Sequence, residues 1–246
     1  MEKDLQNRFA ELSARAYARG RYTYTHFLTL AEQDVLCRMA GRLEAPFRWM
    51  GGYEGAERRL ACFGEEGRIG YPPECPILCL SIGPAAPKFS GKLEHRDYFG
   101  AVMGLGIKRE LLGDLNLLEG RAYLFCLKEI APYLEQNLLQ AGRERISCKL
   151  CDPPEALFVP PEPTLLTVAS PRLDGLIAAV WRLSRSESQQ LLEKGLVFLD
   201  GRQELSPSRQ VPEGTIISVR GKGRFRYEGT AGQTRKGREK AQVRVY

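Results

Sequence analysis

Five of the twelve residues in DPPEALFVPPEP (152–163) are proline. Each proline fixes φ at about −65° and lacks an N–H, so neither a helix nor a central strand runs through the stretch. Such a segment takes an extended, semi-rigid course. A 246-residue chain interrupted in this way is expected to fold as separate bodies. The linker is set at 156–168, and a second cluster, GYPPECP (70–76), marks a further break. The expected organisation is an N-terminal helical and α+β domain over 1–72 and a middle α/β domain over 73–155. A C-terminal domain over 169–230 and a basic tail over 231–246 follow.

Within the first domain, Leu5, Phe9, Leu12 and Ala16 recur at helical spacing and Gly20 ends the run. A second helix is expected from near Thr25 to Gly41, followed by strand character from Phe47 through RRLACFG. The middle domain reads as strand (ILCLSI), helix and turn (from Ala86 through LLEG), strand (RAYLFCLKEI), helix (with Pro132 in its first turn) and strand (RERISCKLC). That alternation suggests an α+β sandwich of the small-plait type. Beyond the linker, Leu173, Leu176, Ile177 and Val180 stripe one helix. Ser184 and Glu187 have capping-box spacing for another, which Gly195 closes. Strand LVFL, the turn Asp200-Gly201, the turn Pro212-Glu213-Gly214 and strand TIISVR complete a module of roughly sixty residues, near the lower size limit for a domain.

The net charge of +6 is unevenly spread. Residues 171–246 hold 15 Lys and Arg against 8 Asp and Glu, and 220–246 hold 9 against 2. A cationic surplus confined to one segment and interleaved with glycines and aromatics is the electrostatic footprint of a polyanion partner. No basic helix with a bulky apolar face accompanies it, which favours nucleic acid over a membrane. Seven scattered cysteines and a charged amphipathic N-terminus read as a reduced, cytoplasmic protein without a signal peptide.

The segment RLDGLIAAVWRLSRSESQQLLEKGLVFLDGRQELSPSRQVPEGTIISVRGKGRF closely resembles the α-L RNA-binding domain named after small-subunit ribosomal protein S-four. HRDYFGAVMGLGIKRELLGDL resembles the bacterial YlmH-type family, which joins an N-terminal region and a small α/β RNA-binding domain to such a module. The resemblance implies contact with large-subunit ribosomal RNA and with tRNA on the ribosome, in translation or ribosome-associated quality control. Side-chain chemistry is consistent with that. Arg182, Arg185 and Gln189 share a face if the two helices are nearly continuous, and Arg172 either joins them or pairs with Asp174 or Glu187. Lys194, Arg202, Lys222, Arg224 and Arg226 flank the strands, and Lys108 and Arg109 offer a second contact.

Catalytic motifs fare less well. Pseudouridine synthases carry their aspartate in an Arg-Leu-Asp context, but Arg172-Leu173-Asp174 opens the binding module and continues Gly-Leu-Ile rather than Thr-Ser-Gly. GLGIKRELLG lacks the third glycine of a nucleotide loop, and HRDYFG lacks the other parts of a kinase site. Cys75, Cys79, Cys148 and Cys151 could hold zinc, yet they read more economically as buried small hydrophobes. With only two histidines, His26 and His95, far apart in sequence, a histidine-centred site has little material. The expectation is a monomeric, non-enzymatic RNA-binding protein without cofactor, metal or membrane partner. An RNA-modifying enzyme or a cell-division-linked scaffold is the alternative.

Overall fold

A computed structural model describes residues 2–86, 91 and 93–246. Positions 87–90 and 92, within the expected helix-and-turn stretch after Ala85, lie outside the described residues. The protein is mixed α+β and multidomain, divided into two compact units, Met1–Val159 and Pro160–Tyr246. No described helix is long and apolar enough to cross a membrane.

In the first unit, α1 (Glu2–Arg19) buries Phe9, Ser13 and Ala16. The Ser13 hydroxyl donates to Ala45 O at 3.1 Å and accepts from Ala45 N at 2.8 Å, so its burial leaves no polar atom unmatched. A short strand, β1 (Thr23–Tyr24), precedes α2 (Leu30–Met39). The second helix therefore starts later than expected. Its start is set by a capping box in which Thr29 and Glu32 satisfy each other's backbone amides. Phe27 and Leu28 lie in the extended lead-in, with Leu28 bridged to Arg59. Strands β2 (Phe47–Met50) and β3 (Leu60–Phe63) complete a sheet of order β1-β3-β2, and a single turn, α3 (Glu66–Ile69), leads on.

The plait follows: β4 (Ile77–Pro84), α4 (His95–Gly104), β5 (Leu112–Leu118), β6 (Arg121–Leu127), α5 (Ala131–Asn137), β7 (Gln140–Ala141) and β8 (Glu144–Cys151). Its antiparallel order, β5-β6-β4-β8-β7, is that of a split βαβ plait with a small extra edge strand. Strand β5 occupies residues expected as helix and turn. Its pairing with β6 is interrupted by a register shift between Leu112 and Leu115, which disturbs the period-two pattern. One face of the sheet packs under α4 and α5, where Leu80, Ile82, Leu124 and Ile146 meet Tyr98, Val102 and Leu134.

The expected boundary at 72/73 does not separate two bodies. Phe27 and Leu60 from before it share a core with Ile77, Cys79, Phe125 and Leu127 from after it. Each such large apolar side chain contributes about 1.5–3 kcal/mol on full burial. The Asp114 carboxylate, at the β5 register shift, accepts from Tyr53 Oη and Glu57 N, each at 2.7 Å, and from Arg58 N at 3.0 Å.

The second unit comprises β9 (Thr164–Val168), α6 (Leu173–Trp181), α7 (Arg185–Glu193), β10 (Val197–Leu199), β11 (Arg202–Gln203), β12 (Ile216–Val219), β13 (Gly223–Gln233) and β14 (Glu239–Val245). They form one six-stranded sheet, β11-β10-β12-β13-β14-β9, with both helices on one face. Two expectations are corrected here. Residues 231–246 are not a tail: β14 pairs with β13 and buries Ala241 and Val243 completely. The last five residues of the expected linker, Thr164–Val168, are an edge strand paired along β14.

Candidate nucleic-acid interface

Helix α6 stops because Arg182 takes a left-handed conformation, φ 53°, and its amide and that of Leu183 both bond Ala178 O. A non-glycine residue in that region costs roughly 1–2 kcal/mol, so the bend is held by the packing around it. The two helices are therefore not continuous, which removes the condition on which Arg182, Arg185 and Gln189 were expected to share a face. Arg182 is exposed at the bend, whereas Gln189 is half-buried on α7.

Ser184 caps α7. Its amide and hydroxyl both donate to Glu187 Oε2 at 2.7 Å, and its oxygen accepts from Glu187 N at 3.2 Å. Those bonds hold the Glu187 carboxyl below its usual range, and the charge of Lys222 adds to the effect. Lys222 thus lies close to the start of α7. It sits in the β12–β13 turn, where its amide bonds Val219 O at 2.9 Å and Gly221 and Gly223 take φ +79° and +117°. Arg220 N bonds Leu196 O at 2.9 Å, which places Arg220 beside the α7–β10 turn that carries Lys194. The result is a rim of exposed cations, Arg182, Arg185, Lys194, Arg220 and Lys222, drawn from three adjacent turns. Arg220 was missed in the sequence because it reads as the last residue of strand TIISVR. The Gly-Lys-Gly that follows is the signal that it opens a turn.

Asp174 anchors this rim from inside. The residue is fully buried, and its carboxylate accepts from Arg185 Nε at 2.9 Å and from Arg172 Nε and Nη2 at 3.3 and 3.4 Å. Burial pushes its carboxyl up, but the Arg185 hydrogen bond and the Arg172 charge prevail and hold it below its usual value. Arg172 is therefore a fold-stabilising partner. Arg185 is oriented by Asp174 through Nε and keeps its outer nitrogens toward solvent, with the side chain 65% exposed.

The other candidates lie elsewhere. The helices pack on Ile217, Val219 and Phe225, with the Trp181 ring 5.4 Å from that of Phe225. Strand alternation then puts Arg224 and Arg226 on the opposite face. There Arg224 lies 4.9 Å from the Tyr246 ring, and Arg226 stands opposite Arg244 in the register. Glu228 serves both neighbours, 3.1 Å from Arg244 and 3.7 Å from Arg226. Arg202 is exposed on edge strand β11. In the first unit Lys108 is exposed, but Arg109 is engaged internally. Its Nη1 donates to Leu112 O and Gly113 O, and burial, with Arg58 nearby, lowers its guanidinium to about 10. The thiols of Cys148 and Cys151 occupy opposite faces of β8, the first in the helix-covered core and the second against Cys79 at 3.9 Å, so the pair cannot share one metal. Burial pushes Cys148 up to about 12.

A split βαβ plait and a second α+β unit rimmed by exposed cations describe a modular nucleic-acid-binding protein. Residues 83–153, most of the plait, match the family described as "Putative RNA-binding domain in YlmH", which narrows the class to RNA-binding proteins. Over 219 residues, 88% of this chain and 84% of the other, the sequence is 32% identical to the ribosome-associated protein quality control protein P2 of Bacillus subtilis (strain 168). The chain belongs to the YlmH family of RNA-binding proteins. A solved structure, the cell division protein ylmH from Streptococcus pneumoniae, matches with a TM-score of 0.49 and 19% identity over 61% of this chain and 90% of that one.

Proposed function

We propose that this protein is a non-enzymatic adaptor of the ribosome, docking its second unit on structured ribosomal RNA of the large subunit and contacting tRNA there. The observation that carries the reading is the cationic rim. Three turns from separate elements carry the exposed cations Arg182, Arg185, Lys194, Arg220 and Lys222, and a buried carboxylate orients one of them. Arginine grips phosphate bidentately, and structured RNA is read largely through its shape, phosphates and ribose hydroxyls. The helix–helix–strand order from Leu173 to Val219 supports the α-L resemblance. The relative named for ribosome-associated quality control supports both the ribosome and the process. Arg224 and Arg226, on the other sheet face, form a second strip that a wrapped RNA reaches.

The test is co-sedimentation of the full chain with large subunits over a salt series. Binding is expected to fall steeply, the logarithmic slope being about 0.7–0.9 per phosphate contact. Arg182→Glu with Lys222→Glu, both at exposed turn positions, is expected to abolish co-sedimentation while leaving the thermal midpoint unchanged. Undiminished co-sedimentation of the double variant overturns the docking assignment.

A further inference from the structure

The plait sheet has two faces, and only one lies under α4 and α5. The other is divided. Its lower half, around Ile77, Cys79, Phe125 and Leu127, is covered by Phe27, Leu60, Tyr53 and Leu157. Among the described residues, its upper half carries no helix. There the register aligns Lys149 on β8, Ser81 on β4 and Tyr123 on β6 in one row across the strands. The next row runs from Ser147 through Gly83 toward Arg121, and Arg145 follows on β8.

Gly83 leaves room for Arg121 over β4. A Cβ there would lie 2.7 Å from Arg121 Nη1, so the arginine lies flat across β4, with Nε donating to Ser81 Oγ at 2.9 Å. Lys149 and Arg145 are exposed. The two rows and Arg145 hold three cations and no carboxylate. Tyr123 is partly buried along the edge of the covered half, which fixes its ring.

We propose that this open half-sheet is a single-stranded RNA platform, a reading that rests on the RNA-binding assignment and adds a second, chemically different site. A base stacks on Tyr123, while Arg121, Lys149 and Arg145 track the backbone. Antiparallel four-stranded sheets bind RNA in this manner, about two or three bases stacking on strand aromatics. Stacking is sequence-tolerant, because every base presents a π-face. A duplex has no free base to offer the ring, so the platform selects unpaired nucleotides. Three cations on this half suit a polyanion better than an apolar protein partner.

The test uses the full chain carrying Arg182→Glu and Lys222→Glu, so that the cationic rim of the other unit is silenced. Fluorescence anisotropy follows a labelled single-stranded RNA decamer, competed by the same sequence as a duplex. Tyr123→Leu is expected to weaken decamer binding about tenfold and Tyr123→Phe to preserve it. Lys149→Ala, at an exposed position that cannot affect the core, is expected to reduce the salt slope by about 0.7. Duplex should compete poorly. Equal competition by duplex, or decamer binding indifferent to both Tyr123→Leu and Lys149→Ala, overturns the platform. Neither result bears on subunit co-sedimentation of the unmodified chain, so failure here is distinguishable from failure of the docking assignment.

Discussion

At the scale of single residues, Asp174 bears the most on both fold and function. A carboxylate with no solvent exposure is tolerable here because two guanidiniums and the Gly175 amide reach it. Asp174→Asn removes the charge, but Arg172 and Arg185 retain solvent access, so the loss is that of charge-assisted hydrogen bonds rather than of a stranded ion. The expected cost is about 2 kcal/mol, or roughly 10 °C in the midpoint of a unit this small. The pH dependence has a definite sign. A folded-state carboxyl held below its unfolded value of about 3.9 contributes stability above that value and loses it as pH falls through the folded one. Urea midpoints should therefore separate wild type from Asp174→Asn by a constant margin at neutral pH. The gap should close only in acid, below about pH 4. A margin that instead grew on acidification would remove Asp174 from the role given to it.

At the scale of elements, β14 shows what a local pattern does and does not reveal. A chain ending at Thr230 loses the buried Ala241 and Val243, the partner of β13 and the partner of β9. Deletion of a tail would be neutral. Here the second unit is expected to lose its cooperative thermal transition, while the first keeps its own. The helices α1, α6 and α7 were legible because each carries an apolar stripe at helical spacing or a capping box, signals contained within a few turns. REKAQVRVY was not, because its alternating cations read as solvated tail. Its meaning depends on Leu166 and Val168, some seventy positions away, where only the folded register brings them together. Strand β5 failed for a different reason. Its register shift at Leu112–Leu115 spoils the period-two alternation that identifies a half-buried strand.

At the scale of the whole molecule, charge was legible and geometry was not. Residues 171–246 carry seven excess positive charges, so composition alone points to the polyanion-binding unit. Which cations share a surface depends on where the chain turns. Arg182 requires a left-handed bend to face out, Arg220 requires a turn, and Arg109 is bound to its own backbone. The same holds for domain count. The proline cluster at 70–76 suggests a boundary, yet Asp114 holds Tyr53 and the amides of Glu57 and Arg58 across it. With that core shared, residues 1–159 should unfold as one cooperative body and residues 160–246 as another. Calorimetry of the full chain is then expected to resolve two transitions. Asp114→Ala, which removes one acceptor from the Tyr53 phenol and from the amides of Glu57 and Arg58, should lower one of them by about 2–3 kcal/mol without dividing it. Asp174→Asn should lower only the other. A third transition appearing in Asp114→Ala would show instead that residues 1–72 fold independently and are merely latched to the plait.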